Sequence, residues 1–200
     1  MSATGRGAER APQDFYATPG WTTRALAQVF PEWFEKNERT TGAVILEPCC
    51  GAGAILRELH PSLVRTGLEL DEVRAAQARA SEFRIERRDA LDATPWVSNR
   101  PPIAIVTNPP YSLAAPFIDR ALREVDARGT VAMLLRLNYL GSRRRGAWHR
   151  AHPSHIYVLE RRPSFTGGGT DATEYAWFVW DAESRDNGFG RVSVLECEKS

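Results

Sequence analysis

Residues 43–53 read AVILEPCCGAG, and this stretch decides the fold class. Ala43–Leu46 is a short apolar run typical of a buried strand, and Glu47 and Pro48 end it. A glycine-rich turn, Cys49–Gly53, follows and leads into residues 54–59, which have the pattern of a helix. A strand, a tight turn and a helix in this order form the first half of a βαβ unit.

The same alternation continues on the C-terminal side of this unit. Apolar runs predict strands at residues 64–70, 83–87, 103–107 and 131–137, and helical patterns lie at about 72–81 and 114–127. Alternating strands and helices predict a mostly parallel sheet with helices on both faces, that is, an α/β fold of the Rossmann-like type. After Pro153, residues 156–159, 175–180 and 192–195 read as strands, with no helix between the last two. We therefore expect an antiparallel β-hairpin at the C-terminal edge of the sheet.

The N-terminal region predicts a tail followed by a helix. Residues 1–14 are small, polar and charged, so we expect a flexible tail, with residues 15–200 forming a single domain. Apolar residues recur at three- and four-residue spacing between Trp21 and Asn37, which predicts a helix that Pro31 kinks or splits.

Composition excludes several classes of protein. The 200 residues include three cysteines, too few for a disulfide scaffold, and Cys49 and Cys50 are adjacent, which is not the spacing of a zinc ligand pair. No apolar run has the length of about 18 residues that a membrane span needs, and the N-terminus lacks the apolar segment of a secretory signal. We expect a cytoplasmic protein with no resident metal, no membrane association and no obligate protein partner.

Positive charge is concentrated in one segment, although the net charge is only +1. Residues 136–162 contain seven arginines and one acidic residue. Arginine binds phosphate in a bidentate manner more readily than lysine does, so the segment is a candidate nucleic-acid contact. A genome-wide preference for arginine codons explains the same composition equally well.

Four polar clusters follow predicted strands, and ligands bind at the carboxyl ends of the strands in open α/β sheets. The clusters are residues 47–53, 69–71, 89–91 and 108–111. The glycine turn lacks both the G-x-G-x-x-G pattern of dinucleotide folds and the lysine of a P-loop, which argues against a pyrophosphate ligand. Glu69 stands where a carboxylate accepts hydrogen bonds from a ribose diol, so a nucleoside without phosphates fits better. A tight βα turn with a helix-capping acid is the alternative.

Asn108-Pro109-Pro110-Tyr111 indicates chemistry on an amine. The two prolines hold the chain in an extended path, so that the Asn108 side-chain oxygen and the Pro109 carbonyl can accept both hydrogens of one NH₂ group. These bonds localise the lone pair of a conjugated amine on its nitrogen. The ring of Tyr111 offers a face on which a base can stack. A proline-rich turn with a buried tyrosine is the alternative interpretation.

Together these motifs resemble the S-adenosylmethionine-dependent amino-methyltransferases, most closely the compact, phage-type DNA adenine-N6 methyltransferases. The resemblance runs from about residue 14 to residue 180. It includes Asp14–Gly20 as the N-terminal cofactor motif, Arg161–Phe165 as a late segment whose aromatic helps to hold the flipped base, and Asp171–Trp177 as its continuation. It implies the family's Rossmann-like fold and the transfer of a methyl group to the N6 amine of adenine in DNA.

The resemblance also implies the site residues. The cofactor S-adenosylmethionine would be bound by Tyr16, Thr18, Pro19, Glu47, Pro48, Cys49, Gly51, Gly53, Glu69, Leu70, Asp89, Ala90 and Asn108. Catalysis would rest on Asn108, Pro109, Pro110 and Tyr111. The flipped base would contact Tyr111 and Phe165. The arginine contacts rest on charge and position instead: residues 141–155 contain no acid and follow the strand at 131–137, so we expect a loop there in which Arg143, Arg144, Arg145 and Arg150 bind the DNA backbone. Trp148 in this loop is a candidate wedge into the duplex, and equally a core residue.

One departure from the family concerns DNA reading. Only 18 residues separate Asp89 from Asn108 and about 20 follow Trp180, so we expect no separate target-recognition domain and little sequence specificity. The arginine segment and Gly167–Gly169 remain for contacts with DNA. Two rival functions stay open: methylation of RNA adenine or of a protein glutamine amide, and a catalytically inactive nucleic-acid-binding protein with the same fold.

Overall fold

The computed structural model describes residues 17–98, 100–165 and 171–197, except for the side chain of Arg144. Within these residues it has eight strands: β1 Val44–Glu47, β2 Val64–Glu69, β3 Arg84–Arg87, β4 Ala104–Thr107, β5 Thr130–Arg136, β6 His155–Leu159, β7 Tyr175–Trp180 and β8 Val192–Leu195. The α-helices of the same residues are α1 Gly20–Arg24, α2 Ala54–Glu58, α3 Glu72–Arg79, α4 Ala114–Glu124, α5 Arg143–Ala151 and α6 Ala182–Asn187. The predicted tail, residues 1–14, and Gly167–Gly169 lie outside the described residues.

The strands form one sheet in the order β3-β2-β1-β4-β5-β7-β6-β8. The pairs from β3 through β5 are parallel, whereas β7 is antiparallel to both β5 and β6. The order reverses between β1 and β4, which opens a crevice at the carboxyl ends of these strands. The expected Rossmann-like α/β architecture is therefore confirmed.

Hydrophobic side chains cover both faces of the sheet, because successive residues of a strand point to opposite faces. Ile45 and Val106 pack on one face with Trp177, and Leu46 and Ile105 pack on the other with the helix α4 residue Phe117. Each of the described β4 residues is buried, as expected for a central strand between two helical layers.

The C-terminal part of the sheet differs from the sequence prediction in two details. The C-terminal antiparallel hairpin exists, but it is made by β6 and β7, and helix α6 separates β7 from β8. Strand β8 then pairs in parallel with β6. A capping box between Asp181 and Ser184 starts α6. The three-residue spacing of this pair is the feature of the sequence that indicates the helix, but it lies between two segments with the pattern of strands.

The predicted helix at residues 21–37 is divided into shorter pieces. Helix α1 continues as a 3₁₀ turn at Ala25–Gln28, and Pro31 begins a second 3₁₀ turn, Pro31–Trp33. Proline lacks the N–H that a continuous helix needs, so the split follows from the sequence. The apolar face is as predicted, since Leu26, Phe30 and Trp33 are buried, and the Trp177 indole N–H donates to the Thr22 carbonyl at 2.7 Å.

Among the described residues, none of the helices combines the length and the apolar character that crossing a membrane requires.

Candidate active site

A cleft of about 890 Å³ opens at the carboxyl ends of β1 and β4. It contains residues from each of the four polar clusters that follow the strands. The predicted site residues that line it are Thr18, Glu47, Pro48, Cys49, Glu69, Leu70, Asp89, Ala90, Asn108, Pro109, Pro110 and Tyr111. Pro19, Gly51 and Gly53 do not line the cleft but are next in the chain to residues that do, namely Thr18, Cys50, Ala52 and Ala54, and Tyr16 lies outside the described residues. Thus the fold brings most of the predicted residues into one space.

The glycine turn requires its glycines. Gly51 and Gly53 have φ values of 53° and 83°, in the left-handed region that side chains disfavour. A Cβ at Gly53 would also lie 2.7 Å from the Phe83 ring. The turn thereby brings its backbone against the cleft while helix α2 starts directly behind it.

Gly53→Ala is expected to lower the free energy of unfolding by more than Gly188→Ala does. Gly188 has a similar φ of 70° but has open space around its Cβ position, so it isolates the backbone strain of about 1–2 kcal/mol. The steric contact with Phe83 adds to that strain at Gly53. Urea denaturation of the wild type and the two variants measures the backbone strain and the steric contribution. Equal losses of unfolding free energy in the two variants would mean that Phe83 moves aside without cost.

Glu47 is a buried acid with an unpaired oxygen. Its side chain is 3% exposed, and Oε2 has no hydrogen-bond partner among the described residues. Burial raises the pKa of this carboxyl well above its usual value, with a smaller contribution from the nearby Glu69. A cationic group placed in the cleft would supply the missing partner and reverse this shift.

Glu69 is held by donors from the chain itself. Oε2 accepts from the Gly51 N–H at 2.8 Å, and Oε1 accepts from the Asp71 N–H at 2.8 Å and from the Arg74 Nη2 at 3.1 Å. A carboxylate has about four lone-pair positions, so Oε2 keeps capacity for a ligand hydroxyl whereas Oε1 is already engaged. A ribose diol bound by both oxygens would have to compete with Arg74.

Asn108 is aimed by Thr18. The Nδ2 of Asn108 donates to the Thr18 Oγ1 at 3.1 Å, and both residues line the cleft. The other amide atom, Oδ1, is buried and has no hydrogen-bond partner among the described residues. An unpaired buried acceptor is costly, so this geometry favours a ligand that brings an N–H or O–H donor.

Tyr111 belongs to an aromatic group behind the cleft. Its ring centroid lies 5.8 Å from that of Tyr175, which in turn lies 5.1 Å from that of Phe165. Burial raises the pKa of Tyr111, and the nearby Tyr175 adds to this rise. Phe165 thus reaches Tyr111 through Tyr175 and does not itself line the cleft.

Cys49 and Asp89 both form hydrogen bonds within the chain. The Cys49 Sγ lies 2.8 Å from the Thr107 Oγ1, and burial raises the pKa of the thiol, which keeps it protonated and unsuited to nucleophilic attack. Asp89 is exposed, and its Oδ1 accepts from the Leu91 N–H at 2.8 Å, leaving its other oxygen at the cleft wall.

The arginine segment is a helix, α5, rather than the expected loop. The Ser142 hydroxyl caps it by accepting from the Arg145 N–H at 3.1 Å. The Arg145 guanidinium lies 4.5 Å from the Tyr139 ring centroid, so this residue packs against the domain, whereas Arg143 and Arg150 are exposed. The helix starts after the carboxyl end of β5 and ends before β6, so Arg143 is nearer to the cleft edge than Arg150 is.

Trp148 packs onto the domain. Its indole N–H donates to the Asp119 Oδ1 at 3.0 Å, and its ring stacks on His152 and meets Trp180 edge-on. These contacts support the core interpretation of Trp148 over the wedge.

One histidine of this segment, His155, lies in the core. His155 is 0% exposed, so it does not reach a phosphate, and its Nε2 lies 3.3 Å from Asp181 and 3.9 Å from Glu183. Although these three groups are close enough for a metal, the His155 Nδ1 accepts the Arg191 N–H at 3.1 Å. Because Nδ1 is an acceptor in this bond, Nε2 carries the ring N–H and offers no lone pair to a metal ion.

Sequence reasoning missed several cleft residues, among them Arg74, Arg88 and Arg136. Arg136 ends β5 just as Asn108 follows β4, so the strand-end rule that selected the other clusters would have found it. Charge composition alone assigns it only to the basic segment at residues 136–162. Arg74 comes one helical turn after the cap residue Asp71, where a basic side chain can fold back onto Glu69.

No protein-family model matches the sequence, and no curated protein matches it. Solved structures share its fold. A Listeria monocytogenes protein assigned to the class I S-adenosylmethionine-dependent methyltransferases superposes with a TM-score of 0.65 at 13% identity, over 89% of this chain and 65% of that chain. A Vibrio vulnificus YJ016 protein assigned as the modification subunit of a type I restriction enzyme gives 0.65 at 17% identity, over 91% and 47%.

A third structure, assigned as an RNA methyltransferase of Pyrococcus horikoshii, gives a TM-score of 0.61 at 14% identity, over 90% of this chain and 94% of that chain. The chain therefore has the fold of class I S-adenosylmethionine-dependent methyltransferases, as the motifs led us to expect. It spans about two thirds and about half of the first two of these structures.

Proposed function

We propose that this protein transfers a methyl group from S-adenosylmethionine to the N6 amine of adenine in DNA, with little sequence specificity. The observation that carries the proposal is the buried Oδ1 of Asn108, which has no partner among the described residues and belongs to a residue that lines the cleft together with Tyr111. An acceptor held in this way suits a ligand with a hydrogen-bond donor, such as an amino group, better than a purely apolar one.

The cofactor half of the cleft fits S-adenosylmethionine. Glu47 offers an unpaired buried carboxylate oxygen to the cationic amino acid end, and the Glu69 Oε2 has room for a ribose hydroxyl. Leu70 is an apolar residue that is 53% exposed beside the cleft, which suits contact with an adenine ring. When bound, the cofactor supplies an electrophilic methyl group. The similar structure from Listeria monocytogenes supports the assignment through the cofactor named for it.

The residues of the chain position the target amine. Asn108 Oδ1 and the Pro109 carbonyl accept its two hydrogens, and Thr18 fixes the orientation of the Asn108 amide. This pair draws the hydrogens from the plane of the conjugated ring, so the nitrogen lone pair becomes available. Tyr111 supports the ring, which must leave the stack at a cost of roughly a few kcal/mol. Positioning of this kind can account for much of the rate.

A labelled-cofactor assay tests the proposal. The full chain would receive S-adenosylmethionine with a labelled methyl group together with duplex DNA, single-stranded RNA or a glutamine-containing peptide. We expect label on DNA, recovered as N6-methyladenine after digestion. Label on RNA or peptide alone would select a rival substrate, consistent with the RNA methyltransferase among the similar structures. Binding of DNA without any transfer would select the inactive nucleic-acid-binding protein.

Helix α5 is proposed to contact DNA phosphates through Arg143 and Arg150, with Arg144 as a further candidate. We expect Arg143→Ala/Arg150→Ala to flatten the dependence of log K on log salt by up to about 2 units, since each phosphate contact contributes about 0.9. Affinity should fall about equally for unrelated sequences, because phosphate contacts carry no sequence information. Fluorescence anisotropy over a salt series measures the slope.

The matched control is Arg84→Ala/Arg128→Ala. It removes the same charge from two exposed arginines away from α5. Equal slopes for the two double variants would mean that α5 contributes only to the overall charge. Arg145 is left unchanged because it packs on Tyr139.

A further inference from the structure

Arg136 lies in the part of the cleft that Asn108 and Tyr111 line, which we call the target half. It is the last residue of β5, it lines the cleft, and its side chain is 43% exposed. Its guanidinium carbon lies 4.8 Å from the centroid of the Tyr111 ring, so the cation covers one face of that ring. It therefore stands next to the place where the target amine is proposed to bind.

The guanidinium is oriented but only loosely neutralised. Its Nε donates to the Tyr175 hydroxyl at 3.0 Å, which fixes the plane of the group. The acid that it faces, Asp171, lies at 3.5 Å from Nη2, longer than the 2.7–2.9 Å typical of a charge-assisted bond. Asp171 also accepts the Tyr175 hydroxyl at 2.6 Å, so its charge is shared. The fork of Arg136 thus retains donor capacity toward the cleft.

A cation beside the amine opposes methyl transfer unless the substrate supplies an anion. Positive charge develops on the amine nitrogen as it accepts the methyl group, and the nearby charge of Arg136 repels it. A phosphate joined to the same nucleoside removes this repulsion and matches the planar fork of arginine. A glutamine amide carries no such group.

We propose that Arg136 binds a phosphate adjoining the target nucleoside, so that the acceptor is a nucleotide unit rather than an amide or a free base. This inference rests on the proposed function and names the recognition element for its substrate. It differs from the role of α5, because Arg136 acts at the flipped nucleotide itself. Tyr175 and Asp171 then serve as positioning residues for the guanidinium.

The test combines Arg136→Met with oligonucleotides that carry one adenine and a neutral methylphosphonate at the 5′ or the 3′ phosphate of that adenine. Removing either partner should lower kcat/KM and affinity by about ten- to a hundredfold, the range of a charge-assisted contact. Removing both partners should cause little further loss, because they form one interaction. Arg128→Met is the matched control and should behave as the wild type. Calorimetry with S-adenosylmethionine checks that the cofactor half of the variant is intact.

Two results would overturn the inference. One is that the losses in affinity from Arg136→Met and from the methylphosphonate multiply at both phosphate positions, and the other is that the Arg136→Met protein is fully active. Affinity is measured for each combination by anisotropy, so the cycle gives an answer even when no methyl transfer occurs, and absence of transfer would count against the proposed function alone. Adenosine and adenosine 5′-monophosphate serve as further acceptors. Preference for the monophosphate that is lost in Arg136→Met would indicate a free nucleotide as the source of the phosphate, whereas activity on oligonucleotides only would indicate a polymer.

Discussion

Asn108→Ala is expected to lower kcat for DNA by about 10²- to 10³-fold, the cost of removing one preorganised group that acts in the transition state. The Asn108 Oδ1 is buried beside Tyr111 without a partner among the described residues, so its interaction is made only when the amine arrives. The interaction strengthens as the amine gains positive charge. Affinity for S-adenosylmethionine should change much less, because the side chain acts on the acceptor. Single-turnover kinetics and calorimetry measure the two effects separately.

Asn108→Asp is the matched variant for this prediction. It keeps an acceptor oxygen at the same place, and Thr18 can donate its hydroxyl to the second oxygen where it now accepts from Nδ2. The aspartate protein should therefore retain more activity than the alanine protein. Turnover of Asn108→Ala at the wild-type rate would end the proposal that Asn108 holds the amine. Tyr111→Ala should also impair transfer, through loss of the ring that supports the base.

The fold was predictable because its central strands carry a strong signal. The Ala104–Thr107 strand is apolar at nearly every position and ends directly before Asn108, so the sequence pattern located both the strand and the site residue that follows it. Since the carboxyl ends of parallel strands meet at one edge of the sheet, the polar clusters after β1, β2 and β4 could be assigned to one cleft from the sequence alone.

The C-terminal details were less predictable for physical reasons. Helix α6 is six residues long and polar, so its existence depends on the Asp181 capping box and on packing rather than on an apolar periodicity. The pairing of β8 with β6 joins residues about 36 positions apart, as in Ile156 with Val192. Pairing at such separation leaves no local pattern in the sequence.

The arginines show the same limit within the site. Charge composition indicated that the segment after residue 136 is basic, but it did not separate the arginines by role. Arg136 covers Tyr111, Arg145 packs on Tyr139, and Arg143 is exposed. Each role is set by what the backbone places beside the guanidinium. Only the position of Arg136 at a strand end distinguishes it in the sequence.

Glu69→Ala is expected to weaken binding of S-adenosylmethionine by about ten- to a hundredfold, which corresponds to about 1.4–2.7 kcal/mol. The carboxylate acts in two ways. Its Oε2 accepts the Gly51 N–H at 2.8 Å and so holds the glycine turn in place, and the same atom has capacity for one ribose hydroxyl. Both contributions disappear in the variant. Calorimetry on the folded protein measures the change in Kd.

Glu72→Ala is the matched control for Glu69→Ala. It removes an acid three residues away whose side chain is 60% exposed and pairs with Arg87, so it should leave the affinity nearly unchanged. Arg74→Met makes the prediction sharper. Arg74 occupies the Glu69 Oε1 at 3.1 Å, so a ligand that needs both carboxylate oxygens would bind more tightly once Arg74 is removed. An unchanged affinity in Arg74→Met together with a loss in Glu69→Ala would mean that the ribose uses Oε2 alone. An unchanged affinity in the Glu69→Ala protein would remove Glu69 from the cofactor site.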